Sequence, residues 1–350
     1  MVQDAQVERV SPSQSGTSAV EPYVELRGLT KLFVKHLDFA AKIGRRLGAD
    51  VREEVVHAVD DVNLTIAEGE VVGLVGESGC GKSTLGRMVA GIIEPTAGTV
   101  LYKGRDVAGL KGAEARAVAL SIQMISQDPF ASLNPRMRVK DIVGEAPLVH
   151  GIADRSGIEQ YTDDILLKCG LEPSFKRRFP HQFSGGQRQR IGIARALAVR
   201  PEFIVCDEAV AALDVSIQAQ ILNLFMALRA EFDLTYLFIS HDLGVVKHIS
   251  DRIVIMYLGR VIEYGDSESL FSAPNHPYTQ ALLQEVPRLD VRHSQFKPVK
   301  GEIPSPLDPP PGCHFHPRCP FAMPRCREEA PKLREIAPGR HSACFLNDMV

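Results

Sequence analysis

The chain has 350 residues, 45% hydrophobic and 24% charged, with a formal charge of −3. That length carries one large domain or a main domain with an appendage, and the slightly acidic balance gives no basis for nucleic acid as a principal partner. No apolar run reaches the roughly 18–20 residues needed to cross a bilayer; the longest candidate, residues 252–259, is bounded by charge and broken by Gly259, so a membrane role would have to come through partner subunits.

Residues 1–20 are rich in Ser, Gln and small residues and lack the apolar core of a secretory signal. They are expected to be a disordered tail, with a regulatory or docking segment as the alternative. A strand is predicted over 24–33, an exposed basic and Gly-containing insertion over 34–56, and a second strand over 57–66. Residues 70–76 form an apolar strand that runs into a glycine-rich loop, and a helix should run from near Lys82 to about Gly91. Two more strands are expected within 98–127, the second ending at Gln127. From 139 to about 200 the pattern turns helical without a convincing strand, which marks a helical subdomain inserted in an α/β core. Residues 202–207 make a short apolar strand ending in carboxylates, 216–231 a helix, 234–240 a buried strand and 251–265 a hairpin turning at Leu258 and Gly259. The Pro-rich run 304–312 reads as a linker into a cysteine module. Strands alternating with helices argue for a mainly parallel sheet that binds ligands at its carboxyl edge.

The loop Gly76-Glu77-Ser78-Gly79-Cys80-Gly81-Lys82-Ser83-Thr84 fits the phosphate-binding pattern, following a strand and opening a helix as that pattern requires. Its backbone N–H groups would curl around phosphate oxygens and the helix would present its positive end to them. Lys82 would reach the β- and γ-phosphates, and Ser83 would ligate Mg²⁺. Asp207, at the end of an apolar strand, would hold Mg²⁺ directly or through water. Glu208 would polarise the water that attacks the γ-phosphate. Gln127 ends a strand before the loop-forming run from Asp128 to Pro135, where it could touch Mg²⁺ or the attacking water. His241 follows another apolar strand, where it could hydrogen-bond the γ-phosphate. Phe33 is a platform for stacking adenine, with Tyr23 as its rival.

Ser184, Gly185, Gly186 and Gln187 open a basic helix: Ser184 can cap it, and its free N–H groups form an anion site. Within its own subunit this turn has no phosphate to bind, so it makes sense facing a γ-phosphate held by a partner. Arg188, Arg190 and Arg195 would also suit an RNA-binding helix, but interleaved aromatics are absent.

The order of phosphate loop, Gln127, Ser184 turn, Asp207 with Glu208, Asp214 and His241 resembles the whole ATP-binding-cassette (ABC) domain over roughly residues 22–270. The resemblance implies an α/β nucleotide-binding domain: a RecA-like core, an antiparallel β subdomain and a helical subdomain at about 139–200. It assigns Asp214, with the loop residues and the Ser184 turn, to nucleotide binding. Finer runs around 76–87, 127–136 and 213–220, and His276-Pro277-Tyr278-Thr279 beyond the core, resemble ATPase subunits of oligopeptide and dipeptide importers. Cys80 and Leu85-Gly86-Arg87 favour the second, F-type ATPase of such systems. The family implies ATP and Mg²⁺, a paralogous ATPase partner, two transmembrane permeases, an extracytoplasmic peptide-binding protein and a peripheral place on the cytoplasmic face of the plasma membrane. Relatives import nickel or glutathione, and soluble ABC ATPases and a redox-sensing protein with a vestigial site are the alternatives. Where the family usually has Pro and Ser after Asp-Glu, this chain has Ala209 and Ala211.

Cys313, Cys319, Cys326 and Cys344 gather in the last 40 residues, as a module 313–344 within a 271–350 extension to the core. An ATP-dependent enzyme works where thiols stay reduced, so a metal is expected before disulfides. The set suits an iron–sulfur cluster or zinc, although no pair has the two-residue spacing usual for structural zinc. It resembles the [4Fe–4S]-bearing C-terminus of some peptide-importer ATPases. Its distance in sequence from the catalytic motifs suggests no part in hydrolysis.

Overall fold

The computed structural model describes residues 22–35, 53–128, 130–284 and 301–349. The N-terminal tail 1–20 and most of the 34–56 insertion lie outside the described residues.

Strands β1 (Val24–Lys35) and β2 (Glu54–Ile66) pair antiparallel and are longer than predicted, each running into the expected insertion. With β4 (Ala97–Tyr102) and the short β5 (Arg105–Asp106) they form a four-stranded sheet of order β2-β1-β4-β5. β3 (Val71–Val75) belongs to the second sheet and is buried at every position, as expected of a central parallel strand. β6 (Ile122–Ile125), β7 (Phe203–Asp207) and β8 (Thr235–Ser240) are its parallel neighbours on one side. On the other side lie β9 (Arg252–Tyr257), parallel, and β10 (Arg260–Asp266), antiparallel, joined by a turn at Leu258 and Gly259.

The eight-stranded sheet continues beyond the core. The hairpin β11 (Arg334–Ala337) and β12 (Arg340–Ser342) joins the edge of β10 through Glu263↔Ser342 and Tyr264↔His341. Residues 334–337 and 340–342 are therefore part of the same sheet as the phosphate-loop strand, which was not anticipated from sequence. Also missed was the helix Gly112–Ser121, where Ala113, Ala115, Ala117 and Ala119 supply helix propensity without a clear apolar stripe. Lys82–Val89 ends earlier than predicted, and Gly91 follows with φ +68, the left-handed stop that glycine tolerates.

Helices Val139–Val149, Ile158–Lys168 and Gly185–Leu197 lie in the stretch predicted to be helical. Their apolar faces and the helix Val215–Phe232 enter one continuous core with β7 and β8. Phe225, fully buried, meets the rings of Tyr236 and Phe238 edge-on at 5.7 and 5.9 Å. Phe225→Ala should lower unfolding free energy by roughly 3–5 kcal/mol, through lost burial plus the cavity left behind; denaturant titration followed by circular dichroism measures it, and a loss below about 1 kcal/mol would contradict this packing.

Candidate nucleotide site and cysteine module

Three parallel strands deliver the site to one sheet edge. β3 opens the phosphate loop, β7 ends at Asp207 and β8 ends at Ser240, with Val75 paired to Ser240 and Asp207 to Ile239. A pocket of ≈ 360 Å³ at that edge is lined by loop residues Ser78, Gly79, Gly81, Lys82, Ser83 and Thr84, and by Phe33, Gln127 and Glu208. Val56, Ala58 and Pro306 complete it; none of the three was anticipated.

The loop is closely packed and bonded to its own lysine. Lys82 is buried, and its Nζ donates to the carbonyls of Gly76 (2.7 Å) and Glu77 (3.0 Å). Gly81 has φ +105, and a Cβ there would lie 2.0 Å from the Ala58 carbonyl oxygen. Gly76 is packed as closely, against the carbonyl of Met256 at 2.1 Å from a built Cβ. Cys80 is buried behind the loop rather than on the pocket wall, and burial pushes its thiol pKa up. Ser83 Oγ donates to Asp207 Oδ1 at 2.7 Å, bringing together the two oxygens predicted to share Mg²⁺. Burial raises the Asp207 pKa, with the Ser83 hydrogen bond opposing the shift.

Glu208 lies on the pocket wall with φ +49, a backbone region that non-glycine residues occupy only when their surroundings hold them there. Its Oε1 is 3.3 Å from His241 Nδ1, and its N–H bonds the Ile239 carbonyl at 2.9 Å. His241 thus reaches the site through Glu208. Gln127 sits exposed on the rim, two residues past β6 rather than at its end. Phe33 is exposed at the pocket with Lys31 Nζ 5.2 Å from its ring centre. Tyr23, the rival platform, is buried just before β1 and bonded through its hydroxyl to Tyr102 and Glu202.

Ser184 caps its helix reciprocally: Gln187 N donates to Ser184 Oγ (3.3 Å) and Ser184 N to Gln187 Oε1 (3.1 Å). Ser184, Gly185, Gly186, Gln187 and Asp214 are not on the pocket wall of their own subunit. Asp214 occupies the N-cap position of the helix Val215–Phe232 without a side-chain capping bond, and Ile217 of that helix packs 2.5 Å from where a Cβ on Gly186 would fall. Ala209 is buried, and Ala211 N bonds the Glu208 carbonyl at 3.1 Å.

Cys313, Cys319, Cys326 and Cys344 surround one small cavity with Phe315, Phe321 and Phe345. Cys313 N bonds the Cys326 carbonyl at 2.8 Å. Burial pushes the Cys313 and Cys344 thiols up to about 11. The thiols therefore converge, yet no group of three or more His, Cys, Asp or Glu among the described residues is arranged to hold a metal ion. His314 and His316 are committed to the carbonyls of Leu258 and Cys313. The module is not remote from the nucleotide site: Arg318, between two of the cysteines, grips Glu77 of the phosphate loop at 2.7 and 2.9 Å.

The ABC transporter family matches residues 59–211, and the C-terminal region of oligopeptide/dipeptide transporters matches 262–326. The chain is 49% identical over 331 residues to the oligopeptide transport ATP-binding protein AppF of Bacillus subtilis, covering 93% of this chain and 98% of that one. It is 50% identical over 276 residues to OppF of Salmonella typhimurium, the corresponding shares being 77% and 82%. Among solved structures, a dimeric post-hydrolysis state of the ATP-binding cassette MJ0796 bound to ADP and Pi has a TM-score of 0.59 and 29% identity. That match covers 70% of this chain and 98% of the cassette. The chain belongs to the ATP-binding subunits of oligopeptide ABC transporters, and it is an ABC-type ATPase.

Gly81→Ala should weaken ATP binding at least about tenfold, ~1.4 kcal/mol, because the new methyl must displace the loop or the Ala58 carbonyl. Calorimetric titration with Mg-ATP checks it; near-wild-type affinity would show that the loop binds phosphate in another form.

Proposed function

We propose that this chain hydrolyses ATP to power peptide import, in a composite-site dimer with a paralogous ATPase beneath two membrane permeases. The observation that carries the reading is the convergence of Lys82, the Ser83–Asp207 pair and the Glu208–His241 pair at one sheet edge. Lys82 and the loop N–H groups would bind the phosphates, and Phe33 would stack on the base. Ser83, Asp207 and Gln127 would hold Mg²⁺, which when bound neutralises charge on the β- and γ-phosphates. Glu208 would accept the proton of the attacking water while His241 fixes its carboxylate.

The Ser184 turn supports the dimer. Its capped helix start offers free N–H groups but lies off its own subunit's pocket, so the γ-phosphate it suits is a partner's. A groove of ≈ 400 Å³ between helices Val139–Val149 and Ile158–Lys168, lined by Lys140, Leu148 and Ile158, supports permease docking on the helical subdomain. No helix among the described residues is long and apolar enough to cross a membrane. Attachment to the cytoplasmic face would therefore run through the permeases, with an extracytoplasmic binding protein delivering the peptide. Glu208→Gln should retain ATP binding and lose turnover by roughly 10²–10⁴-fold, since an amide cannot take the proton. Wild-type turnover in the assembled transporter would refute the assignment.

The cysteine module supports a second part of the reading. Four thiols around one cavity match the donor number of a [4Fe–4S] cluster, in which each thiolate serves a separate iron and no single-ion cage is required. When bound, the cluster would supply folding energy to a segment with few buried side chains of its own. Anaerobically prepared protein should be brown and carry about four iron atoms per chain. Colourless protein with one equivalent of zinc would replace the cluster, and protein with neither metal would remove it.

A further inference from the structure

Glu77 is the second residue of the phosphate loop, and it is held from three directions. Its N–H donates to Tyr278 Oη at 2.9 Å. Its carboxylate receives both arms of the Arg318 guanidinium, at 2.7 and 2.9 Å. Its carbonyl accepts from Lys82 Nζ at 3.0 Å, the ammonium expected to bind phosphate. Two of these three partners come from beyond residue 270, outside the nucleotide-binding core.

Both partners are built in rather than draped on the surface. The Arg318 side chain is 4% exposed and the Glu77 side chain 21%. Arg318 lies 5.9 and 6.0 Å from the ring centres of Tyr257 and Phe315, and its Nη1 also reaches Tyr257 Oη at 3.4 Å. Tyr278 is fully buried against the same two rings, at 4.7 and 5.4 Å. The helix Pro277–Gln284 that carries Tyr278 is anchored in turn. Tyr278 N donates to Nδ1 of His276, which burial pushes down to about 3 and so keeps neutral. Glu263 on β10 accepts from the backbone N–H groups of Asn275 and His276, both at 2.8 Å. A turn of the extension reaches the pocket itself: His57 N donates to the Pro306 carbonyl at 2.9 Å, and Pro306 lines the nucleotide pocket beside Phe33.

The electrostatics give this arrangement a purpose. A free carboxylate in a loop that must cradle polyphosphate would repel its ligand, and the repulsion would be strong in a partly buried setting. A bidentate guanidinium cancels that charge and fixes the carboxylate in a plane. The buried Tyr278 hydroxyl meanwhile takes up the Glu77 N–H. The same backbone unit presents the carbonyl on which Lys82 rests, so displacing Glu77 displaces the lysine's support.

We propose that Arg318 and Tyr278 are positioning residues for the phosphate loop, making the C-terminal extension a part of the nucleotide site. This rests on the loop being the ATP site. Arg318 lies in the turn between Cys313 and Cys319, its N–H bonded to the Phe315 carbonyl at 3.0 Å, so whatever orders the thiols also sets the grip on the loop.

The test uses the full chain, with Mg-ATP binding by calorimetry and steady-state hydrolysis in the assembled transporter. Arg318→Met should weaken ATP binding and raise KM roughly tenfold or more, because it strands the Glu77 carboxylate. kcat at saturating ATP should stay within about threefold, since Arg318 does not touch the reacting atoms. Tyr278→Phe keeps the packed ring and removes only the acceptor, and should raise KM about three- to tenfold. The double variant Glu77→Gln with Arg318→Met should recover most of the lost affinity, because neither charge is left unpaired. Arg318→Lys should recover part of it. A purely structural role would instead lower kcat and stability in Arg318→Met without rescue by Glu77→Gln, and that result would overturn the proposal. If Arg318→Met does not fold, Tyr278→Phe and Arg318→Lys decide, and unchanged KM in both would overturn it equally. Lys82→Ala is the control: if it abolishes ATP binding while Arg318→Met and Tyr278→Phe bind normally, the clamp is wrong and the site stands. If Lys82→Ala binds ATP as wild type, the site assignment itself falls, and the clamp with it.

Discussion

The parallel register of β3 against β8, and of β8 against β7, is the constraint on which the site depends. Val75 pairs with Ser240 and Ile239 with Asp207, so three strands stop level with one another. Whatever follows each strand is then delivered to the same edge: the phosphate loop, Asp207 with Glu208, and His241. A one-residue slip would turn each strand's side chains to the opposite face and separate these groups. The register is held by apolar residues buried on both faces, which are remote from the chemistry they align.

Much of this was legible in the sequence because the elements are punctuated. The phosphate loop carries its glycines where backbone must meet backbone, and the carboxylates at 207 and 208 end an apolar run. The Ser184 turn shows its capping box in the spacing of Ser184 and Gln187. The choice between Phe33 and Tyr23 was not legible from residue type; Tyr23, just before β1, is buried with its hydroxyl on Tyr102 and Glu202, while Phe33, near the far end of β1, is left at the pocket. The Ala-rich helix Gly112–Ser121 was missed for want of an apolar stripe.

The long-range assembly of the C-terminal extension was also illegible. Its separation from the catalytic motifs along the chain suggested independence. Strand pairing of β12 onto β10 overrides that distance, returning residues 313–345 to the side of the loop. Nothing local in Arg318 announces its target, because a buried ion pair across 241 positions leaves no periodic trace in sequence. Tyr278 did lie in a run singled out as a family feature, although its hydroxyl's partner is visible only in three dimensions.

Three carboxylates crowd a site built to receive a polyanion, and the fold treats each differently. Glu77 is neutralised by a buried guanidinium and takes no part in the pocket wall. Asp207 is tied to the Ser83 hydroxyl, and burial raises its pKa, so a metal ion would supply the charge that favours its ionised form. Glu208 faces the pocket in a left-handed backbone conformation, with the half-exposed His241 ring 3.3 Å from its carboxylate. A base must keep a lone pair available to water, and a bidentate cation like that on Glu77 would occupy both oxygens. The neutralised carboxylate thus sets the loop, the hydroxyl-tethered one suits the metal, and the one left open suits proton transfer.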